Sequence, residues 1–255
     1  MLQRLIALQQ ADSAFPSGSF AFSNGIEGLA ALPDGLGGAE LGHAVEVILR
    51  HRWAGSDRVA LVLAHRSAGD LARLARIDAA VEAACLPEPM RTGSRRNGGA
   101  LLAAHTRIGT PGAEGLRMAV RDGPLLGHLA VMQGALWRSL GLDETTVTEI
   151  AGYQCAAALV TAAVRLGRVG AIEAQRILSA LMPVLAEIAA RPVQGGGQEA
   201  QQEAEQEAEQ EAEEGSETWG EDDTDSADIM LVAFTPLIEI ATMRHARADL
   251  RLFAN

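Results

Sequence analysis

Apolar residues recur along most of this chain at the three- and four-residue spacing of amphipathic helices. The first clear stripe consists of Leu41, Ala44, Val45, Ile48 and Leu49. Glu46 and Arg50 stand opposite this stripe as an i, i+4 ion pair, which favours the same helix. Ser56 and Asp57 supply a cap and a first-turn acid for a second helix that continues through Leu63.

Proline and glycine residues divide the next part of the pattern. A helix is predicted from Leu71 to Cys85, and Pro87 with Pro89 is expected to end it. Another helix is predicted over Arg95 to Ile108, because the glycines and the proline of residues 109–112 break the pattern there.

The helical signal is strongest in the second half of the chain. Pro124 suits the first turn of a helix that Gly141 closes. Asp143 or Thr145 can cap the next helix, which runs to Arg165. The apolar stripe of that helix is Ile150, Tyr153, Ala157, Val160 and Val164.

One further helix follows the corner from Gly167 to Gly170. Pro183 lies within it and is expected to introduce a kink. Its apolar stripe is Ala174, Leu178, Leu181, Leu185 and Ile188. Sustained period-two alternation is almost absent from the chain, so the sequence predicts an all-α fold.

Residues 194–228 differ in kind from the rest of the chain. From Gly195 to Asp228 there are 14 acidic residues and no basic ones. The Glu-Ala-Glu-Gln repeat places like charges one turn apart, and it offers no apolar face to bury, so we expect a disordered, solvated insert. The sequence therefore predicts one helical domain, formed by a body (1–193) and a C-terminal helix and tail (229–255), that the insert interrupts.

The formal net charge of −12 is concentrated in this insert. Without the 14 acids of the insert, 19 acidic residues stand against 21 basic ones, so the body is nearly neutral. The chain shows no basic patch of the kind that binds nucleic acid. The longest weakly polar run, from Ile150 to Val164, is too short to span a membrane. The N-terminus shows no secretory signal, and we expect a soluble, cytoplasmic protein.

Composition also narrows the core and the available chemistry. Hydrophobic residues make up 48% of the chain but aromatic ones only 4%, so closely packed helices rich in Ala and Leu are expected. All 21 basic residues are arginine, which excludes a lysine Schiff base or a lysine general base. Cys85 and Cys155 stand in apolar surroundings and are expected to be buried thiols; no pair of histidines has the spacing of a metal site.

The stretch from Asp12 to Glu27 has the most distinctive composition. It sets serines, glycines and two carboxylates among three phenylalanines, with Pro16 turning the chain and Gly18 permitting unusual backbone angles. Asn24-Gly25 between apolar residues suits a two-residue hairpin turn, whereas the apolar spacing from Phe22 to Ala30 suits a helix. The residues alone leave both structures open.

Four blocks of the chain resemble the family of the urease accessory protein UreF. The first is the stretch above, with its Asp-Ser, Pro-x-Gly and Ser-x-Gly-Ile-Glu elements in order. The second and third are Gly127-His128-Leu129-Ala130-Val131 and Ala162-Ala163-Val164-Arg165-Leu166. The fourth combines Met243-Arg244-His245 with Arg251-Leu252-Phe253. The resemblance covers the chain except for the insert, and it implies a helical bundle of the UreF type, with a helix in the first block.

The chain departs from the family pattern in four places. Ala171 stands where the family usually has Gln, and Arg168 where it usually has Pro. Ala246 replaces the Glu that follows His245, and Ala254-Asn255 replaces the terminal x-Ser. Contacts that need that Gln or Glu are therefore in question here.

The resemblance implies a non-catalytic, homodimeric accessory protein. It would bind UreD (also called UreH) and the GTPase UreG, and the assembly would load nickel into apo-urease when UreG hydrolyses GTP. Nickel and GTP would act through the partners, with no cofactor, metal or catalytic residue on this chain. The partner-binding residues carried over from the four blocks are Asp12, Ser13, Pro16, Gly18, Ser23, Glu27, His128, Arg165, Arg244, His245, Arg251, Leu252 and Phe253.

Some of these residues have a structural alternative. Asp12 and Ser13 suit a helix N-cap and a turn. His128 suits a hydrogen-bonded core position as well as a nickel contact. Arg165 can complement the carbonyls of a helix end or anchor a subunit interface.

The C-terminal segment from Asp228 to Asn255 is expected to be a docking element for UreD that is mobile in the free protein. The alternative is that Thr235 to Arg244 packs on its own body as a last helix. For Arg251 to Phe253 the expectation is a partner contact, because chain ends fray unless something binds them.

Two rival functions belong to other classes. An interaction scaffold for another GTPase or metalloenzyme would share this fold. A serine hydrolase would find its residue types in Ser17, Ser19, His43, His51 and Asp57. The chain lacks the Gly-x-Ser-x-Gly elbow and a strand to present the nucleophile, so the sequence does not predict an enzyme.

Overall fold

Helices account for all the regular secondary structure in the part of the chain that the computed structural model describes. The described residues are 1–18, 22–32, 35–194, 229–246 and 252–253. The predicted insert lies outside them except for Gln194. Within them the all-α prediction is confirmed, since no strand is present.

Eleven helices lie in the described residues. The first six are α1 (Leu2–Ala11), α2 (Ile26–Ala30), α3 (Gly38–Ile48), α4 (Asp57–Arg66), α5 (Leu71–Ala84) and α6 (Glu88–Arg107). The last five are α7 (Ala113–Asp122), α8 (Leu129–Ser139), α9 (Glu144–Arg165), α10 (Ala171–Ala189) and α11 (Pro236–His245). A π-helical turn, Leu49–Trp53, extends α3.

Local sequence rules account for several of these boundaries. The predicted pair of Arg50 and Glu46 forms on α3, with Nε and Oε1 2.8 Å apart. Asp143 caps α9, because its carboxylate accepts from the backbone N–H of Thr146 at 2.9 Å. Gly141 has a φ of +77°, which ends α8 as predicted.

The prolines near residue 88 have a different effect from the predicted one. Pro87 is the N-cap of α6, and Pro89 lies in its first turn, so the helix begins at Glu88 and not at Arg95. A proline costs no intrahelical hydrogen bond at this position, because the first N–H groups of a helix have no partner within it. The prolines therefore end one helix and start the next.

Helix α7 was not predicted. It buries Ala113, Leu116 and Ala119 on one side. The stripe is short, and Gly115 and the helix-breaking residues 109–112 weaken the helical pattern of the sequence around it. Its N-cap is Gly112, whose φ of +76° lets the chain turn sharply into the helix.

The start of α8 also differs from the prediction. The helix begins at Leu129, five residues after Pro124. The reason is Asp78 of α5, which is fully buried and accepts three backbone N–H groups: Leu126 and Gly127 at 2.7 Å and His128 at 3.0 Å. A side chain that lies 48 residues upstream therefore holds residues 126–128 outside the helix and satisfies the N–H of its N-cap, His128.

Helix α9 lies at the centre of the bundle. It packs against α10 most extensively and also against α1, α4 and α8. Its burial is therefore wider than the predicted stripe, and Tyr153, a predicted stripe residue, is 37% exposed. By length and composition α9 could cross a membrane, but 56% of its most apolar window is buried in the protein, which is typical of a core helix.

The remaining packing places the C-terminal segment beside the N-terminal block. Helix α4 packs against α8, α6 also packs against α8, and α11 packs against α2. Gly28 of α2 permits the last contact, because a Cβ there would lie 2.7 Å from the carbonyl oxygen of Ala241. Thr235 to Arg244 therefore packs on its own body as a last helix, as in the alternative interpretation of the sequence.

Replacing Asp78 by Ala should destabilise the fold severely. Three N–H groups at the start of α8 would lose their acceptor inside the protein, and we expect a loss of about 2–4 kcal/mol in the free energy of unfolding. Asp70 is the matched control, since its exposed carboxylate also accepts two N–H groups, of Ala72 and Arg73, at the start of α5. Asp70→Ala should cost only about 1 kcal/mol. Urea denaturation followed by circular dichroism measures both, and equal losses would contradict the role given to Asp78.

Candidate interaction site where the two chain ends meet

The N-terminal block begins with a tight turn directly after α1. The carboxylate of Asp12 accepts from the N–H of Ala14 at 2.8 Å, and its carbonyl accepts from the N–H of Phe15 at 3.0 Å. Asp12 thus lies at the C-terminal end of a helix, and the N-cap alternative is wrong. Its neighbours Ser13, Pro16 and Gly18 are exposed.

The middle of the block combines both structures that the sequence left open. Asn24 and Gly25 have φ values of +51° and +96°, and the N–H of Ile26 donates to the carbonyl of Ser23 at 3.1 Å. Two left-handed residues closed by this bond are typical of a hairpin turn. The turn nevertheless leads into helix α2, and Ser23 is fully buried beneath it.

Glu27 is the centre of the site. Its side chain lies on α2 and is only 6% exposed. Oε1 accepts from the backbone N–H of Leu252 at 2.5 Å, and Oε2 accepts from that of Phe253 at 3.2 Å. A buried carboxylate needs such donors, because burial removes its hydration. The N-terminal block therefore fixes the C-terminal tail by its backbone.

Two side chains complete the contact between the ends. Nε2 of His245, at the end of α11, lies 3.2 Å from Oε2 of Glu27, at a distance that suits an ion pair but without the angle of a hydrogen bond. The ring of Phe253 lies beneath the guanidinium of Arg165, 4.3 Å from its carbon to the ring centroid. Guanidinium groups are attracted to the faces of aromatic rings in this geometry.

The tail is therefore bound differently from the prediction. Phe253 is 4% exposed and belongs to the hydrophobic core, whereas the sequence suggested a free chain end held by a partner. The expectation was wrong because residues far away in sequence bind the tail. Glu27 accepts its backbone N–H groups, and Arg165 stacks on the ring of Phe253. Arg165 contacts Phe253, which neither of its two predicted roles included.

The departures from the family pattern can be placed as well. Arg168, in the position of the usual Pro, donates from Nη2 to the carbonyl of Ala30 at 2.7 Å, where α2 ends. Ala171 is the first residue of α10, and Ala246 is the C-cap of α11. Arg168 thus makes a contact with the end of α2 that proline cannot make.

His128 occupies the core position that the sequence offered as an alternative. It is fully buried, with Nε2 2.8 Å from a carboxylate oxygen of Glu82 and Nδ1 3.1 Å from the hydroxyl of Ser94. Arg91 and Arg95 also pair with Glu82, at 3.2 and 3.5 Å. Both ring nitrogens are therefore occupied by the contacts that hold α5, α6 and the start of α8 together.

A cleft of about 470 Å³ runs beside the tail and the N-terminal block. Four of the predicted site residues line it, namely Asp12, Ser13, Arg165 and Phe253. The cleft also borders α9 along Tyr153, Gln154, Ala157, Ala158 and Thr161. Arg244 lies elsewhere, exposed at the end of α11, and Arg251 is outside the described residues.

The two thiols and the hydrolase candidates can be placed relative to the cleft. Burial raises the pKa of the Cys155 thiol to about 12 and also raises the pKa of the Cys85 thiol. His43 and His51 are exposed and do not line the cleft that Ser17 lines, while Ser19 is outside the described residues. Across the described ranges, no three His, Cys, Asp or Glu side chains are placed to hold a metal ion together.

Comparison with known proteins gives one consistent family. The UreF family model matches residues 37–182. The urease accessory protein UreF of Trichodesmium erythraeum is 27% identical over 99% of this chain and 97% of its own length. Those of Cereibacter sphaeroides and Roseobacter denitrificans are 35% and 32% identical, over 77% and 73% of this chain and 88% and 78% of their own. The chain belongs to the UreF family of urease accessory proteins.

Proposed function

We propose that this chain is a non-catalytic scaffold in the cytoplasm that joins UreD (UreH) and the GTPase UreG during urease maturation. The assembly inserts nickel into apo-urease when UreG hydrolyses GTP. Nickel and GTP act through the partners, and this chain works as a homodimer without a cofactor of its own. Membership of the UreF family is the observation that carries the proposal.

The surface of α11 supports a docking role. Leu237, Ile240 and Met243 are 62%, 52% and 45% exposed, and Arg244 stands next to them. We call these four residues the docking face. Large apolar side chains in solvent beside an arginine are typical of a protein interface. The opposite side of α11, with Ile238, Ala241 and Thr242, is buried, so the body holds the docking face in a fixed position.

The central test is co-purification of this chain with UreD and UreG from the same source, with and without GTP and nickel. A complex that contains all three proteins and activates apo-urease is the expected result. Failure of UreD and UreG to bind under every condition would overturn the proposed function.

Substitutions in the docking face should weaken UreD binding without unfolding the chain. For the double variant Leu237→Asp and Ile240→Asp we expect an affinity loss of about 30-fold or more, since buried apolar anchors at interfaces are worth about 2 kcal/mol or more. Ile172→Asp on α10 is the control, because Ile172 is 71% exposed but lies on another helix. Calorimetric titration with UreD measures the difference. Equal affinities of the two variants for UreD would show that α11 is not part of the interface.

Glu27→Gln should release the tail. One carboxylate oxygen becomes an amide donor that faces a backbone N–H, so we expect a loss of about 1–3 kcal/mol in stability and faster hydrogen exchange at Leu252 and Phe253. Glu173→Gln on α10 is the control, because Glu173 makes only an exposed pair with Arg176. Mass spectrometry of amide exchange and thermal melting report both effects. Unchanged exchange at residues 252–253 would show that Glu27 does not hold the tail.

The purified chain should be a dimer with twice the 26.8 kDa mass of one copy. The outer side of α9 beside the cleft is the expected interface, and Thr161→Arg should favour the monomer. Thr145→Arg is the control, because Thr145 is exposed in the first turn of α9 and does not line the cleft. Light scattering at micromolar concentration measures both, and a monomeric unmodified chain would refute the homodimer.

A further inference from the structure

The segment Ile229–Phe234, called here the edge segment, lies extended along the π-helical turn. The N–H of Val232 donates to the carbonyl of Gly55 and the N–H of Phe234 donates to that of His51, both at 2.8 Å. Gly55 permits this approach, since a Cβ there would lie 2.6 Å from the carbonyl oxygen of Val232. The segment therefore satisfies two carbonyls at the end of the π-helical turn with alternate N–H groups.

Side-chain exposure alternates along the edge segment with the period of a strand. Met230, Val232 and Phe234 are 79%, 53% and 70% exposed. Ile229 and Leu231 are partly buried against the hydrophobic core, and Ala233 is partly buried as well. One face of the segment is thus packed, and the other presents three large apolar side chains to solvent.

The second edge of the segment is unpaired. Successive residues of an extended chain direct their N–H and C=O groups to opposite edges, so Leu231 and Ala233 face away from the π-helical turn. Among the described residues, the N–H groups of Leu231 and Ala233 have no hydrogen-bond partner. Neither residue is fully buried. An unpaired edge beside exposed apolar side chains is a template for another strand.

We propose that the edge segment binds an extended segment of a partner protein by strand addition. Backbone groups of the partner pair with those of Leu231 and Ala233, and its alternate apolar side chains cover Met230, Val232 and Phe234. A partner helix would leave these backbone groups unpaired, because its own are satisfied internally. The inference rests on the proposed function, of which it specifies the mode of partner binding.

Two features indicate which chain is added. The edge segment leads directly into α11, so its apolar surface continues from Phe234 to Leu237 and Ile240 of the docking face. The 34 residues before it carry 14 acids and no bases. Charge complementarity therefore favours a partner segment with basic residues at the end that lies near Ile229.

The test uses purified UreD and the full chain. In the complex, the amides of Leu231 and Ala233 should exchange with solvent at least about tenfold more slowly than in the free chain. Ala233→Pro removes the outward N–H and leaves both bonds to the π-helical turn, so affinity for UreD should fall about tenfold or more. Ala233→Ser is the control, since it keeps the N–H, and it should bind like the unmodified chain.

The outcomes separate the two proposals. If UreD binds but residues 231 and 233 gain no protection, the strand addition is refuted and the scaffold function stands. Exchange in the unmodified chain decides this even if Ala233→Pro fails to fold. If the amides are protected in the free chain by self-association and Ala233→Pro yields monomers, the occupant is a second copy and the partner assignment is wrong. If UreD does not bind at all, both the strand addition and the proposed partner are refuted.

Discussion

The carboxylate of Glu27 imposes the constraint that joins the two ends of this chain. It is buried on a short helix, so it needs hydrogen-bond donors from other parts of the chain. The N–H groups of Leu252 and Phe253 supply them, with His245 alongside. Removing such donors would leave a buried charge, which costs several kcal/mol. The N-terminal block, α11 and the tail therefore form one structural unit.

This unit also determines which surface the chain offers to others. Because α11 rests on Gly28 of α2, its residues Ile238 and Ala241 point inward. The helical period then turns Leu237 and Ile240 outward. The edge segment is fixed in the same way, by two hydrogen bonds to the π-helical turn. An apolar surface that is already ordered loses little conformational entropy on binding, which favours the proposed scaffold function.

The sequence predicted those parts of the fold in which local pattern and tertiary burial agree. The face of α3 and the stripe of α10 follow from spacing alone, and the structure contains both. The cap of α9 is Asp143, one of the two residues that the sequence offered. The start of α8 could not be predicted, because a carboxylate on α5 decides it. The exposed edge of residues 229–234 could not be predicted for another reason. Ile229 to Phe234 is apolar at every position, so its alternation exists only in the exposure and not in the residue types.

The interaction site likewise depends on contacts that the sequence pattern could not predict. The family blocks point to Glu27, Arg165 and Phe253 as partner-binding residues, but spacing along a chain does not reveal that Glu27 and Arg165 contact the tail beyond the insert. The contact of Arg165 with Phe253 depends on the way α11 closes over α2, which is a tertiary property. The Asn24-Gly25 turn illustrates a milder case. Its backbone angles were predictable from the residue types, whereas the helix that follows it depends on packing against α11.

The buried polar groups hold the fold together. Asp78 and Glu27 are used by backbone N–H groups, and both nitrogens of His128 are occupied. Burial lowers the pKa of His105 to about 4, so this ring stays neutral near pH 7 and its Nδ1 bonds to Thr110. These groups stabilise helix ends and chain crossings in a core that is poor in aromatic residues. The described part of the chain also presents exposed apolar surface and an unpaired backbone edge, features that are typical of protein binding.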